Sequence, residues 1–147
     1  MKRQRRDPER LDFFVDRDLG RGFYEVLAAD PRFNTYRHDD HFDQDTEDPD
    51  WIVPTADCGW IGVTHDKAIT RNHWNVIKRA DARLLIAVGK DFQAMAKNFL
   101  ATYARIERFV RKRKAPFAGR IYLPTPKDLK RGNPKNIQGS IREWEIP

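Results

Sequence analysis

With 147 residues, 39% of them hydrophobic and 12% aromatic, the chain has the size and apolar content of one domain built on one core. Its longest strongly apolar run, Leu84 to Val88, is far too short to cross a bilayer. The basic start MKRQRRDPERLD is not followed by an apolar stretch of signal-peptide length. Cys58 is the sole cysteine, which excludes a disulfide framework and a Cys-rich zinc site, and the cytoplasm is the default address.

The formal net charge of +6 is unevenly distributed. Residues 1–38 carry nine Lys/Arg and seven Asp/Glu. Residues 39–66 carry nine Asp/Glu and no Lys/Arg, and residues 67–147 carry nineteen Lys/Arg against six Asp/Glu. An acidic centre between basic flanks suits a protein that holds cations and grips a polyanion, although a solvated acidic loop beside a solvated basic helix has the same signature. The pattern divides the chain into a basic N-terminal arm (1–10), a folded domain (11–123) and a basic C-terminal tail (124–147).

In chain order, LDFFV (Leu11–Val15) is a short β-favouring run that stops at Asp16. Leu19 to Ala29 places Leu19, Phe23, Val26 and Leu27 on one helical face and ends at Asp30-Pro31. Gly20-Arg21-Gly22 reads as a turn, because the Lys-Ser/Thr of a phosphate loop is missing. Asn34–Arg37 is a second strand candidate, and His38–Glu47 reads as an acidic loop. Asp48-Pro49-Asp50 has the form of a helix start with Asp48 as N-cap, with Pro54 distorting the short helix that follows. WIGVT (Trp60–Thr64) reads as a buried strand, Ile69–Arg79 as a weak helix and Leu84–Val88 as a strand. Phe92 to about Lys112 has apolar residues at three- and four-residue steps, the strongest helical signal. Phe117–Leu123 is a last strand candidate. The basic, Pro/Gly-containing stretch after Pro124 reads as a loosely ordered tail. The alternation of strand and helix predicts an α/β/α sandwich around a mainly parallel sheet, whose reactive groups collect beyond the carboxyl ends of the strands.

That rule selects the acids. Asp16 ends the first strand and Asp66 follows the WIGVT strand, so the two share a crevice if their strands are neighbours. Asp48 and Asp50 head the helix that feeds the second strand. Three carboxylates from separate segments suit a hard divalent cation, Mg²⁺ or Mn²⁺, which activates water against a phosphodiester. Each acid also has a plain structural role available: Asp48 as a cap, Asp50 as a complement to the helix dipole, Asp66 in a turn. Asp16, directly after FFV, needs a partner or a site.

The runs FFVDRDLG, DPDWI and GWIGVTHDK, in this order and spacing, resemble the PIN-like domains of VapC-type toxins, over about Phe13 to Tyr122. The resemblance implies a parallel sheet between helices, a divalent-metal-dependent endoribonuclease acting on RNA, a cognate antitoxin protein as partner and a homodimer. It matches Asp16, Asp48 (with Asp50 as replacement or support) and Asp66 to the catalytic, metal-holding acids. Asp18 and Thr64 stand where supporting contacts are expected, Thr64 orienting Asp66 or a metal-bound water. The chain departs from the pattern in one respect. Family members carry a further Glu on an intervening helix, and Glu25, the only acid in that helix, lies in a different context, so one metal or two stays open.

Arg17, Lys67, Arg111 and Arg113 are the candidate phosphate contacts, within a wider basic set of Arg105, Arg108, Lys112, Lys114, Arg120, Lys127, Lys130, Arg131 and Lys135. His38-Asp39-Asp40-His41 is a poor zinc site and reads as a solvated loop. Two other functions compete. Asp16-Arg17-Asp18 also resembles the D-x-D signature of haloacid-dehalogenase-like phosphatases, with Asp16 as nucleophile, but no downstream strand-borne Asp pair accompanies it. A non-catalytic RNA- or partner-binding module is the other.

Overall fold

The computed structural model describes residues 10–131 and 137–147. Its strands are β1 (Asp12–Val15), β2 (Asn34–Arg37), β3 (Ile61–Thr64), β4 (Arg83–Ala87), β5 (Phe117–Tyr122) and β6 (Ser140–Trp144). Its helices are α1 (Gly20–Ala28), α2 (Asp48–Asp57), α3 (Ile69–Asn72), α4 (Trp74–Ala80), α5 (Phe92–Ala101), α6 (Tyr103–Lys112) and α7 (Pro126–Arg131). The strands form one sheet in the order β2-β1-β3-β4-β5-β6. The first five are parallel, and β6 runs antiparallel to β5.

The strand sequences explain the layers. Successive side chains on a strand point to opposite faces, and β1 is buried on both. Phe13 and Val15 join Ile61, Val63, Leu85 and Ala87 in a core beneath α1, α5 and α6, with Phe23, Phe99 and Ile106. Phe14 joins Leu84 and Ile86 in a second core with Trp51, Ile52, Ile69 and Ile77 from α2, α3 and α4. Two apolar faces covered by two helical layers make the expected α/β/α sandwich. Gly62 makes room for this packing, because a Cβ there would lie 3.0 Å from the Trp51 ring.

Several sequence expectations change, among them the Gly20-Arg21-Gly22 turn, which is the first turn of α1. The long helix breaks at Thr102, a fully buried residue whose hydroxyl donates to Asn98 Oδ1 at 3.0 Å and accepts from the Gly139 N–H at 2.9 Å. The weak helix splits into α3 and α4 at His73, whose backbone leaves the helical region. The segment after Pro124 is not a loose tail in its described part: it supplies α7 and β6, and β6 pairs with β5 from Ala118↔Trp144 to Tyr122↔Ser140. Few apolar residues mark this strand. A buried polar latch docks it instead, with Arg105 donating to the Gly139 carbonyl at 2.8 Å and Asn98 to that of Tyr122 at 3.1 Å. The proposed N-terminal arm lies, except for Arg10, outside the described residues.

A Cβ at Gly139 would collide with the Tyr122 carbonyl and the Asn98 amide. Gly139→Ala is therefore expected to lower stability by about 1–3 kcal/mol, read from the urea midpoint, and to raise hydrogen exchange in residues 140–144.

Candidate active site

The strand order creates the site. The chain leaves β1 for β2 on one side and returns to β3 on the other, so a crevice opens above β1 and β3 at their carboxyl ends. Val15 and Val63 are in register, and the residues that follow them, Asp16 and Thr64, meet side by side. The Asp16 N–H donates to the Val63 carbonyl at 2.8 Å, which fixes the start of the turn carrying the acid.

Asp16 is 8% exposed and Thr64 is fully buried. One Asp16 oxygen accepts from the Arg17 N–H at 2.7 Å, and the other lies 2.9 Å from the Thr64 hydroxyl. Asp18, one 3-10 turn on, turns its carboxylate inward, 2.9 Å from the same hydroxyl, and accepts from the His65 N–H at 3.1 Å. The Thr64 oxygen also accepts from the Asp66 N–H at 3.2 Å. A hydroxyl has one hydrogen and two acceptor lone pairs. It can donate to only one of the two carboxyls, and the contact with the second is satisfied when that group carries a proton. Burial raises Asp16 from its ordinary 3.8 to about 7, with the negative charges of Asp18 and, less strongly, Asp48 adding to it against the Thr64 and Arg17 hydrogen bonds. Asp18 is raised as well, chiefly by burial.

Asp48 and Asp66 line the same open cleft of about 420 Å³, with Arg17 and His38. Asp66 accepts from the Ala68 N–H at 2.9 Å through one oxygen, leaving the other for the cleft. Asp48 does not act as the helix cap. Glu47 takes that position without a side-chain bond, while Asp48 accepts from the Trp51 indole N–H at 2.9 Å and lies 3.5 Å from His73 Nε2. The Trp three residues after Asp48 thus explains the motif: its ring fills the core and its polar edge holds the acid.

Other candidates lie elsewhere. Asp50 is exposed and lines a separate groove between α2 and α4, with Val53 and Arg79. Glu25 is exposed on α1 and pairs with Arg21 at 2.9 Å. Arg111 and Arg113 belong to the end of α6 that faces the amino ends of the strands. Arg113 shares a pocket there with Gly59 and Arg83 and lies 3.4 Å from Glu143, and Arg111 pairs with Glu107 at 3.2 Å. Basic runs carry no information about which end of a sheet they reach, and these two lie at the end opposite the acids. Arg17 and Lys67 do stand at the carboxyl ends, both exposed. Arg120 supports the site from beneath: it donates to the Lys67 carbonyl at 3.1 Å while its guanidinium lies over the Trp144 ring, 3.3 Å from its centroid. Lys135 and the side chain of Arg131 are outside the described residues.

Among the described residues no three acidic, His or Cys side chains converge as a complete set of direct metal ligands, those of the His38–His41 run included. The donor set of carboxylate and hydroxyl oxygens around the buried Asp16 and the more exposed Asp18 instead fits a hard cation that keeps several waters, as Mg²⁺ does. Among the described residues no helix is long and apolar enough to cross a membrane.

A family model described as a PIN like domain matches residues 11–90. A curated relative from Mycobacterium tuberculosis (strain ATCC 25618 / H37Rv), named "Putative ribonuclease VapC45", is 34% identical over 106 residues, covering 67% of this chain and 77% of the relative. No solved structure matches significantly.

The raised Asp16 pKa makes a signed prediction. Between pH 4 and about 7 the folded chain holds a proton that the unfolded chain releases, so metal-free stability falls as pH rises through this window, by up to roughly 1.4 kcal/mol per pH unit. Asp16→Asn has no such carboxyl. Melting in EDTA from pH 5 to 8 should show the variant increasingly more stable than wild type with rising pH, whereas a constant difference would contradict the assignment.

Proposed function

The chain belongs to the PIN-like domain family, and from that premise we propose that it is a Mg²⁺- or Mn²⁺-dependent endoribonuclease, the toxin of a toxin–antitoxin pair. The observation that carries the reading is the gathering of Asp16, Asp18, Asp48 and Asp66 in one cleft above β1 and β3, the first two sharing a hydroxyl inside it. Like charges brought together and partly buried are costly without a counter-charge. A cation held in the cleft would supply that counter-charge, and a phosphodiester is the substrate for which such an arrangement is useful.

Asp16, Asp48 and Asp66 would hold the ion, with Asp18 as a further carboxylate at the mouth. When bound, the ion supplies a water of lowered pKa and positive charge facing the phosphodiester. The protein's own groups prepare the site. Thr64 fixes the Asp16 carboxylate, and its contact with the Asp66 N–H ties the third acid to the first. Trp51 holds Asp48 toward the cleft. Asp16 keeps a proton up to about pH 7, so a cation held there would compete with that proton and would bind more tightly as pH rises toward that value. Arg17 and Lys67, exposed on either side, contact substrate phosphates. The RNA substrate and the antitoxin as partner rest on the family relationship, as do the homodimer and the cytoplasmic address. Family membership also favours this reading over an Asp16-centred phosphatase.

The experiment is cleavage of a single-stranded RNA by the purified chain with added Mn²⁺ or Mg²⁺, and with EDTA. Asp16→Asn is expected to lose at least a hundredfold in rate (about 2.7 kcal/mol) while keeping its fold by circular dichroism. Asp48→Asn should lose activity clearly, and Asp50→Asn should keep it. Unchanged cleavage in folded Asp16→Asn would refute the nuclease, and full activity in EDTA would refute the metal.

A further inference from the structure

The acid cleft continues into a second pocket of about 280 Å³ on its β2 side. Three guanidinium groups line it, with Tyr24 and Asp39, and Asp16, Arg17 and His38 belong to both cavities. The arginines come from three elements that meet at the carboxyl end of the sheet: Arg17 from the 3-10 turn after β1, Arg21 from the first turn of α1, and Arg37 from the last position of β2.

Acids neutralise them only loosely: Asp16 and Asp39 share the pocket, and the ion pairs are long or solvent-exposed. Arg17 Nε and Arg37 Nη2 approach the same residue, Asp39, at 3.4 and 3.5 Å, so one carboxylate stands between two guanidinium groups. Arg37 is also 4.0 Å from the exposed Asp40. Arg21 pairs with Glu25 on the exposed side of α1, a solvent-screened contact with both side chains more than half exposed. The nine-residue α1 begins at this pocket, and no side chain caps its first turn, so the positive end of its dipole adds to the arginine field. None of the three arginines supports the core. A guanidinium presents a planar fork of donors that matches a phosphate, which makes three of them around one small pocket an anion site.

We propose that this pocket is a phosphate subsite, in which Arg17, Arg21 and Arg37 hold the phosphate of the nucleotide next to the linkage placed at Asp16, with the ring of Tyr24 against that nucleotide. The inference rests on the nuclease reading for its substrate, and it adds a direction: the RNA strand leaves the acid cleft over the β1–β2 edge, past the start of α1. It also separates working from idle basic residues, since the cluster at the end of α6 lies at the other end of the sheet. An aromatic face beside a basic groove is the usual means of holding single strands without reading sequence.

The test uses the full chain in EDTA, where nothing is cut, and single-stranded RNA dodecamers labelled at the 3′ end, with and without a 5′-phosphate. Binding is followed by fluorescence anisotropy over a range of salt concentrations. Arg21→Ala and Arg37→Ala are each expected to weaken binding roughly tenfold and to reduce the slope of log affinity against log salt by about 0.7. Arg21→Lys should recover the slope but only part of the affinity. Lys112→Ala, at the far end of α6, should change neither. An arginine effect on both RNAs assigns the pocket to an internal phosphodiester, and an effect confined to the 5′-phosphorylated RNA assigns it to a terminal phosphate. Arg21→Ala and Arg37→Ala variants that bind both RNAs like Lys112→Ala would overturn the subsite. That result, together with wild-type cleavage abolished by Asp16→Asn, would leave the nuclease standing. Arginine-dependent binding by a chain that cleaves nothing would do the reverse.

Discussion

The parallel pairing of β1 with β3 underlies the rest of the molecule. Because Val15 and Val63 are partners, the next residue on each strand emerges at the same height, and an acid and a hydroxyl forty-eight positions apart in the sequence come within 2.9 Å. A one-residue slip would turn every side chain of a strand to the opposite face. It would bury Asp16 in an apolar layer or lift Thr64 away from it. The two cores prevent this, since Phe13 and Phe14 have separate cavities to fill on opposite faces. The hydrophobic interior thus determines the distance between polar groups that it never touches.

The same arrangement sets stability against chemistry. A buried carboxyl close to two others disfavours the folded state, and a carboxamide at position 16 would be easier to accommodate. Proteins carry such costs where a ligand is to relieve them. The Thr64 hydroxyl, with a hydrogen bond in each of its three directions, holds the cluster in one geometry until then.

Much of this was readable from residues alone, for physical reasons. The strand cores LDFFV, WIGVT and RLLIA are apolar on both faces, which marks central strands of a covered parallel sheet, and the acid directly after such a run has to emerge at the sheet's carboxyl end. Asp16, Thr64 and Asp66 were accessible by that logic. Asp48 was accessible as a motif but not in its role, because capping and indole binding leave the same trace in sequence. Asp50 and Asp48 could not be separated, since two positions along a helix rotate a side chain by more than half a turn, and only the packing of Trp51 decides which one faces the cleft. The positions of Arg111 and Arg113 depended on the direction of α6, and that of β6 on a latch of Asn98, Thr102, Arg105 and Gly139 that no periodicity reveals. Of the arginine pocket only Arg17 is legible in the sequence, because Arg21 and Arg37 are scattered among acids and each looks like a surface charge.

Trp51 belongs to two worlds at once. Its rings rest on Phe14 and over the bare backbone of Gly62, while its nitrogen is bound to an acid of the cleft. A bulkier residue beneath it would tilt the indole like a lever and swing the carboxylate at its tip. Volume in the oily layer and the reach of Asp48 are therefore one adjustable quantity, and drift in one must be matched by drift in the other. In descendants of this chain the residues at 14, 51 and 62 should change as a set.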